Sequence, residues 1–549
     1  MLPWSLRVAV SLLLLRASRL LAALMRMLPR WVPRLSPPSL PGSDPVRAEE
    51  VRLQAEALRL IPIAEKYGFT DTFEHSTLAE LPVEQRYPLR MNAPKALLAI
   101  ALSIDVQRGA PARRPRVGRW LGVPAAVRWG WEAAPAFGPL RTQGPNPAWL
   151  QRVTDDGHPV SLAKLAAERV SPGGAGRLYA VDYRSLLRGV PVRSGRFLAP
   201  AAAFFVDDGG LQPVGIEVET PTGSHWISAD GSERWDRARR SFHCAELHVH
   251  EAVSHFLWTH VYGEKLILAT LRRLDRRHPI RRLLAPHLVG TLQANENSGG
   301  RLLGEGGLFA HCFSAGWTGV AELLRRGDRL WRFEQMLLPE ELAARGVMEL
   351  ATYPYRDDGL LLWEALSRYV RGVVAAWFAD DAAIVSDPEL AEWSVELHGW
   401  LGDRGFPEVR TVAALVDVLT ATLFGVVQHT LVNALQYDAF GDPSRWPASL
   451  SIPFQVGEGE GDVAPSGGDG LPVGAEALDA TRATYGFSIQ YNVLGDDLLA
   501  WHCSRTVTVA RAFLAELKRI GQVIASGEAP RPWPYRIGHP SRVSNSINA

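Results

Sequence analysis

Five histidines in one stretch of this 549-residue chain have the spacing most suited to chemistry. His250, His255, His260, His278 and His287 follow the pattern H-x4-H-x4-H-x17-H-x8-H, and neutral imidazole is the commonest metal ligand in proteins. The residues between the histidines are mostly apolar on every side, which predicts a helix buried in a large core. A buried imidazole needs a partner, so the pattern indicates either metal ligands or hydrogen-bonded core residues.

His255 and His260 constrain the helix that must position them. Five residues turn an α-helix by about 500°, which leaves two such side chains ~140° apart and unable to share one metal ion easily. On a π-helical turn the two side chains come nearly into line, and such turns cluster at functional sites. If both are ligands, we predict a π-helical segment inside a helix running from about Ala245 to His278, where Pro279 opposes continuation.

This stretch has two other interpretations. His250–His255 reads H-E-x-x-x-H, which is one residue too long for the H-E-x-x-H motif of zinc proteases. The histidines could also be core or capping residues, and this is favoured for His278 and His287, each beside a helix-breaking proline. It is disfavoured for His255 and His260, because buried imidazole is rarely concentrated this way.

A second polar pair, His429 and Asn433, lies in another apolar stretch, for which we predict a buried helix over Leu415–Leu435. A spacing of four residues places the two side chains about 40° apart, on one face of an ordinary α-helix. Alone, the pair could brace core helices. Joined to the first motif, it predicts a second helix that bears metal ligands.

The two motifs together resemble the signature of the lipoxygenases, and the resemblance covers about residues 175–549. Further matching segments are Tyr179–Tyr183, Phe197–Pro200, Tyr353–Leu360, Leu362–Ala365, Asp387–Leu390, Gly405–Pro407, His429–Tyr437 and Asn545–Ala549. The chain is similar to a bacterial-type lipoxygenase without the N-terminal β-barrel lipid-binding domain, since no run of alternating strands precedes Leu178. The resemblance implies a mostly α fold, with a large helical catalytic domain around two long buried helices and small β elements.

By resemblance, His255, His260 and His429 supply imidazole ligands, Asn433 a weak or variable oxygen ligand, and Ala549 its main-chain carboxylate. Imidazoles and carboxylate with open positions suit one non-haem iron, and manganese is a less favoured alternative. The family typically ends in Ile where this chain ends in Ala549. The terminal carboxylate is therefore kept, while the packing that seats the tail is weakened.

Four more positions match lipoxygenase residues near the metal or the substrate. Glu251 stands where the family often has Gln, and Gln436 matches a glutamine that links the metal shell to the substrate cavity, so a Glu–Gln contact is expected. Leu302 matches a leucine over the reacting carbon. Ser298 matches a position usually Ala in enzymes making S products and Gly in those making R products, which predicts mainly S hydroperoxide. Without the resemblance, these last two would be a core leucine and a serine facing another helix.

The implied reaction is dioxygenation of a polyunsaturated fatty acid of the linoleate or arachidonate type. A ferric hydroxide takes a hydrogen atom from the bis-allylic CH2, and O2 adds on the opposite face to give a conjugated hydroperoxide. Two alternatives remain open: a lipoxygenase-like fatty-acid hydroperoxide isomerase, and a membrane-associated lipid-binding relative with little turnover. Glu251 and Ala549 motivate the second alternative, whereas the intact ligand set argues against it.

Composition limits the partners and the organisation of the chain. A net charge of +1 argues against nucleic acid as the main partner. The three scattered cysteines make neither a disulfide framework nor a C-x-x-C metal site. We predict a basic amphipathic segment with a Pro-rich linker over residues 1–46 and a catalytic domain over residues 47–549.

The first 31 residues predict a basic amphipathic helix. Arg16, Arg19, Arg26 and Arg30 fall within an arc of about 80° on a helix, which suits contact with an anionic membrane surface. The apolar run Val8–Leu15 is too short to span a bilayer. A helix packed on the protein itself and a weak export signal are equally open. We therefore expect a cytoplasmic or peripheral membrane location, with export as the alternative.

The remaining stretches predict smaller elements. Residues 197–207 and 212–219 favour a small strand pair, and residues 491–523 favour two helices. The Gly-, Asp- and Pro-rich stretch Gly457–Gly474 predicts a long surface loop.

Overall fold

The structure is a computed structural model that describes residues 2–28, 35–42, 44–68, 75–113, 116–129, 136–153, 177–433, 436–455, 470–527 and 537–548. Helices dominate these ranges, which confirms the predicted mostly α fold. The α-helices are α1 (Trp4–Met27), α2 (Pro45–Ala57), α3 (Ile63–Tyr67), α4 (Leu89–Ser103), α5 (Gly118–Leu121), α6 (Ala125–Trp129), α7 (Leu140–Gln143), α8 (Arg184–Leu187), α9 (Glu233–Val249), α10 (Tyr262–Arg273), α11 (Pro279–Leu284), α12 (Thr291–Ser298), α13 (Leu308–Cys312), α14 (Gly316–Leu330), α15 (Leu338–Ala344), α16 (Pro354–Trp377), α17 (Asp381–Val385), α18 (Pro388–Leu401), α19 (Val412–Asn433), α20 (Gly474–Phe487) and α21 (Val507–Ser526). The π-helical segments are π1 (His250–Val261), π2 (Gly299–Leu303) and π3 (Gln436–Phe440). The strands are β1 (Leu60–Pro62), β2 (Ser76–Leu78), β3 (Gln151–Arg152), β4 (Arg177–Asp182), β5 (Ala201–Asp207), β6 (Leu211–Thr220) and β7 (Gly223–Ser228).

The first long helix runs without a break through α9, π1 and α10, and its ends differ from the predicted Ala245 and His278. It begins earlier because Ser232 caps it, its side chain accepting a hydrogen bond from a first-turn amide. It ends earlier because Leu274 is extended, and the Leu274 carbonyl accepts a hydrogen bond from the Arg281 side chain at 2.6 Å. The Arg281 side chain, seven residues further along the chain, therefore takes the place of a helical amide as the partner of that carbonyl.

The second long helix, α19, packs against π1 and α16 and is largely buried. It begins at Val412, close to the predicted Leu415. Residues 434–435 lie outside the described part of the chain, and the helical path resumes in π3. The two long helices thus cross where the sequence places their histidines.

The predicted strand pair is part of a larger antiparallel sheet with the order β3-β4-β5-β6-β7. β5 is buried along its whole length. Ala203 and Phe205 belong to the main core, while Ala202 and Phe204 pack into a second cluster on the other face, as the two-residue period of a strand requires. The sheet packs against α9.

Helix α1 packs on the protein through contacts with α4. Leu12 and Leu15 are buried, and the Ser11 and Ser18 hydroxyls donate to main-chain carbonyls of α4 at 2.8 and 2.6 Å. These contacts agree with the alternative of a helix packed on the protein itself.

Two of the four arginines proposed for a membrane surface contact the protein instead. The Arg19 guanidinium lies 3.8 Å from the centroid of the Tyr485 ring, and Arg26 donates to Gln490 Oε1 at 2.7 Å. Arg30 lies outside the described residues. The exposed face of α1 carries mainly large apolar side chains, among them Leu13, Leu20, Leu24 and Met27.

Within the described residues, two helical stretches are long and apolar enough to cross a membrane by length and composition alone. They are Trp4–Met27, which is α1, and Val412–Phe440, which contains α19. The helix α1 is thus longer than its apolar run Val8–Leu15, which by itself is too short to span a bilayer. Because buried core helices and signal sequences meet the same criteria, this finding assigns neither helix to a membrane.

Some smaller elements differ from their predictions. Residues 491–523 contain one long helix, α21, preceded by a 3-10 turn at Leu498–Trp501 instead of a first helix. Asp497 adopts a positive φ of 60° immediately before that turn, which interrupts the helical path. Most of the predicted loop Gly457–Gly474 lies outside the described residues, and α20 begins at its last residue.

Candidate metal centre

The π-helical segment π1 places His255 and His260 side by side, and it confirms the widening predicted from their spacing. The Nε2 atoms of the two rings lie 3.2 Å apart, and both side chains are buried. In a π-helix the fifth residue along returns to nearly the same face. The widened turn is therefore what allows one ion to contact both rings.

His429, on α19, joins this pair from a second helix. Its Nε2 lies 3.2 Å from the Nε2 of His260. One ligand atom from each of the three histidines lies within 4.8 Å of the others. The structure thus brings together the three imidazoles that the sequence assigned as ligands.

Hydrogen bonds at Nδ1 orient the His255 and His260 rings so that their Nε2 atoms face each other. His260 Nδ1 donates to Asn295 Oδ1 at 2.6 Å, because the Asn295 amide nitrogen donates to Glu264 at 2.6 Å. His255 Nδ1 donates to Glu251 Oε2 at 3.0 Å. Each Nε2 then carries a lone pair, and two lone pairs facing each other at 3.2 Å repel unless a cation lies between them. This buried nitrogen set fits a metal ion such as iron.

Glu251 differs from the glutamine often found in this position by carrying a charge. Burial opposes ionisation of its carboxyl, but the neighbouring His250 and His255 rings outweigh burial and lower the pKa of Glu251 to about 2. Gln436 Nε2 lies 3.3 Å from His255 Nδ1 and donates to Asn433 Oδ1 at 2.9 Å. Glu251 and Gln436 therefore both lie next to His255 Nδ1, and the expected link between them runs through the His255 ring.

Replacing Glu251 by glutamine should raise the reduction potential of bound iron and lower iron affinity by about 10-fold. The reason is that the carboxylate makes the His255 ring a stronger donor and favours the more oxidised ion. A redox titration followed by electron paramagnetic resonance measures the potential. Glu233→Gln, at an exposed position on the same helix, should leave it unchanged. Equal potentials in wild type and Glu251→Gln would contradict this role.

The other three histidines of the pattern have structural partners. His250 Nε2 donates to the Val432 carbonyl at 2.8 Å and ties π1 to α19. His278 caps α11, its Nδ1 accepting a hydrogen bond from a first-turn amide at 3.2 Å. His287 Nδ1 donates to the Asn545 carbonyl at 3.0 Å, and burial lowers the pKa of His287 to about 4, so the ring is neutral. These contacts agree with the core and capping interpretation of His278 and His287.

The C-terminal tail approaches the histidines through a series of buried contacts. Asn545 Nδ2 donates to a main-chain carbonyl at 2.9 Å. Ile547 is buried against Gly263, where an added Cβ would lie 3.2 Å from Ile547 Cδ1. Asn548 is the last described residue, and Ala549, whose carboxylate the resemblance assigns as a ligand, lies outside the described residues.

A cavity of about 750 Å³ lies near the histidine cluster, and Phe487 is the lining residue that links the two. Phe487 and Asn548 line it on that side, and the Phe487 ring centroid lies 6.0 Å from that of His255. Ser298 and Leu302 also line the cavity, from α12 and π2. Its volume lies within the range of small-molecule sites. The structure thus places both predicted substrate-channel residues on the wall of one cavity next to the metal site.

Exposed residues also line this cavity. Among them are Ser103, the last residue of α4, and Gln107, Arg301 and His311. The lining therefore combines exposed polar residues with a buried residue of the C-terminal tail, Asn548.

The resemblance implies that Ser298 directs O2 to the end of the substrate radical that gives mainly S hydroperoxide. In the lipoxygenases that it resembles, a side chain at this position blocks one end of the pentadienyl radical, whereas glycine opens it. We expect Ser298→Gly to increase the R share of the product, and Ser298→Ala, the matched control, to keep mainly S. Chiral chromatography of the products measures the S:R ratio in each variant. Mainly R product from wild type, or an unchanged S:R ratio in Ser298→Gly, would show that the residue does not steer oxygen.

Sequence reasoning missed the roles of Asn295 and Lys95. The sequence motifs do not include Asn295, yet its side chain accepts the Nδ1 proton of His260 and so fixes the tautomer of that ring. Lys95 lines the interior of the cavity from α4, which lies outside the region of family resemblance. No local sequence pattern predicts the position of either side chain, because that position depends on how separate segments of the chain pack together.

Comparisons with known proteins agree with this geometry. A family model described as Lipoxygenase matches residues 176–452. A linoleate 9/13-lipoxygenase from Pseudomonas aeruginosa is 31% identical over 75% of this chain and 66% of its own length. A human hydroperoxide isomerase, ALOXE3, is 35% identical over 45% of this chain and 36% of its own length.

A solved structure supports the fold. The crystal structure of a coral 8R-lipoxygenase superposes with a TM-score of 0.81 at 23% sequence identity, covering 94% of this chain and 83% of that chain. The chain spans about a third to two thirds of the length of the curated relatives named above.

Proposed function

The chain belongs to the lipoxygenase family, and on that premise we propose that it is a non-haem iron dioxygenase. Its proposed substrates are polyunsaturated fatty acids of the linoleate or arachidonate type, and its products are conjugated hydroperoxides. The observation that carries the proposal is the convergence of three buried imidazole Nε2 atoms beside a cavity of about 750 Å³. The similarity to a linoleate lipoxygenase supports the substrate class.

Iron, when bound, supplies the one-electron chemistry by which a bis-allylic hydrogen atom is removed. His255, His260 and His429 would hold it, with Asn433 and the carboxylate of Ala549 as further proposed ligands. Iron is preferred to manganese on the family resemblance, because the ligand types alone suit both.

The residues around the ligands fix protons and orientation. Asn295 and Glu251 each accept an Nδ1 proton, which keeps the Nε2 of His260 and His255 unprotonated and available to the metal.

The cavity walls position the substrate. Leu302 and Phe487 give an apolar surface next to the site, against which a pentadiene can lie while water is excluded. Ser298 restricts the space at one end of the radical. The protein thus contributes the protonation state of the ligands, the orientation of substrate and the direction of oxygen entry.

Simultaneous measurement of O2 consumption and conjugated-diene absorbance, with linoleate and with arachidonate, tests the proposal. We expect one O2 consumed for each diene formed. Iron-loaded protein that consumes no O2 with either fatty acid would contradict a dioxygenase function.

A hydroperoxide isomerase is the second candidate, and the similarity to the human isomerase favours it. Such an enzyme would use the same histidines on a fatty-acid hydroperoxide and would need no O2. Incubation with a purified hydroperoxide separates the two candidates. Rapid loss of the hydroperoxide without O2 uptake, together with no reaction of free fatty acid, would favour the isomerase.

A peripheral membrane location is also proposed, in a cytoplasmic protein, through residues 1–31. The exposed apolar face of α1, with Leu20 and Leu24, and the exposed Arg16 support it. Deleting residues 1–31 should weaken binding to anionic vesicles, most clearly at low salt. Because deletion also uncovers α4, the double variant Leu20→Ser, Leu24→Ser tests the exposed face alone in a flotation assay. Unchanged flotation of both variants, or cleavage of the mature protein near residue 30, would contradict the proposal.

A further inference from the structure

Lys95 lies near the beginning of the chain, yet its ammonium group contacts the last described residue of the C-terminal tail. Its Nζ donates to the main-chain carbonyl of Asn548. The same Nζ lies 4.6 Å from the Tyr87 ring centroid and 4.1 Å from that of Tyr491. Two aromatic faces and a carbonyl oxygen thus surround one cation, an arrangement that attracts and orients the ammonium group.

Other contacts hold both the main chain and the side chains of the tail. Asn548 is fully buried, and its Nδ2 donates to Ser546 Oγ at 2.7 Å. Ser546 Oγ in turn donates to the Val289 carbonyl at 2.8 Å. These bonds fix the tail up to Asn548, and the direction of the following peptide unit depends on how its carbonyl is held.

The Lys95 contact determines that direction. The Asn548 carbonyl belongs to the planar peptide unit that joins Asn548 to Ala549. Holding its oxygen therefore fixes the plane of this last peptide unit.

We propose that Lys95 is a positioning residue that orients the last peptide unit and so directs the terminal carboxylate of Ala549 toward the three histidines. This inference rests on the proposed metal site. Burial lowers the pKa of Lys95 to about 7, and the two ring faces oppose that shift because they stabilise the cation.

The inference links the N-terminal helices to the metal site. Lys95 is on α4, and α4 packs against α1, whereas the family model begins only at residue 176. A segment outside the matched region would thus hold one ligand of the metal centre in place.

Iron release from the full chain tests the proposal. Lys95→Met keeps the length of the side chain and removes the charge and the hydrogen bond. We expect iron to leave this variant for a ferrous chelator about 10-fold faster than wild type, and Lys95→Arg to restore much of the difference. Lys66→Met is the matched control, because Lys66 Nζ also donates to a carbonyl, that of Leu78 at 2.7 Å, and lies 5.8 Å from the Tyr67 ring centroid.

A second measurement does not depend on iron. In metal-free protein, carboxypeptidase should remove Ala549 faster from Lys95→Met than from wild type or Lys66→Met, while the melting temperatures of the two variants stay close. Equal digestion and equal iron release in Lys95→Met and Lys66→Met would overturn the proposal. Absence of iron from wild type would contradict the proposed function instead, and the digestion measurement would still decide whether Lys95 orients the tail.

Discussion

Replacing His260 by alanine should remove iron and dioxygenase activity together. His260 Nε2 lies 3.2 Å from the Nε2 of both His255 and His429, so it is the central member of the cluster. Its loss leaves two imidazoles without their common neighbour. We expect activity to fall by more than ~100-fold, since changes in residues that only support a metal ligand already cost ~10–100-fold. Metal analysis and diene formation on the same preparation measure both effects.

His278→Asn is the matched control for that variant. It changes a buried histidine of the same five-residue pattern, but His278 caps α11 and asparagine is also a good cap. The control should keep iron and activity and lose some stability, because it also loses the 3.2 Å contact with Asp387. Full iron occupancy in His260→Ala would rule out the ligand assignment.

Adding two residues after Ala549 should abolish activity. An extension converts the terminal carboxylate into a neutral peptide group and moves the charge away from the histidines. The tail cannot easily shift to compensate, since Ile547 and Asn548 are buried and the Asn548 carbonyl is held by Lys95. We expect a loss of more than ~100-fold, with iron content reduced in parallel.

Ala549→Ile is the control for the extension, because it keeps the carboxylate and restores the residue usual in the family. It should retain activity and seat the tail at least as firmly. A tagged protein that stays active, with the tag still attached, would show that the terminal carboxylate is not a ligand.

The position of the histidines could be predicted because their spacing has a geometric consequence. His255 and His260 can share an ion only if the helix widens, and the structure contains that widening. His429 and Asn433 needed only an ordinary helix, and α19 provides it. Local periodicity predicted the two helices, and the resemblance to the lipoxygenases supplied the assignment of their histidines as metal ligands.

The ends of the first long helix could not be predicted in the same way. Pro279 marked the farthest possible end, but the helix stops before it because Arg281 binds the Leu274 carbonyl. Periodicity also identified a basic face on α1 without showing what covers it. Arg19 contacts a ring that lies far along the chain, in α20.

The contact between Lys95 and Asn548 is the extreme case, because it joins residues 453 positions apart. Neither residue belongs to a motif with recognisable spacing. Such contacts depend on the packing of whole helices, which single-sequence patterns do not encode.

The central claim is that iron held by His255, His260 and His429 performs fatty-acid dioxygenation, and titration of metal-free protein with ferrous iron tests it most directly. Conjugated-diene formation from linoleate is measured after each addition. The proposal predicts that activity is absent at first, rises in proportion to bound iron and stops rising at one iron per chain. Diene formation by the metal-free protein, or none from protein carrying one iron per chain, would contradict it.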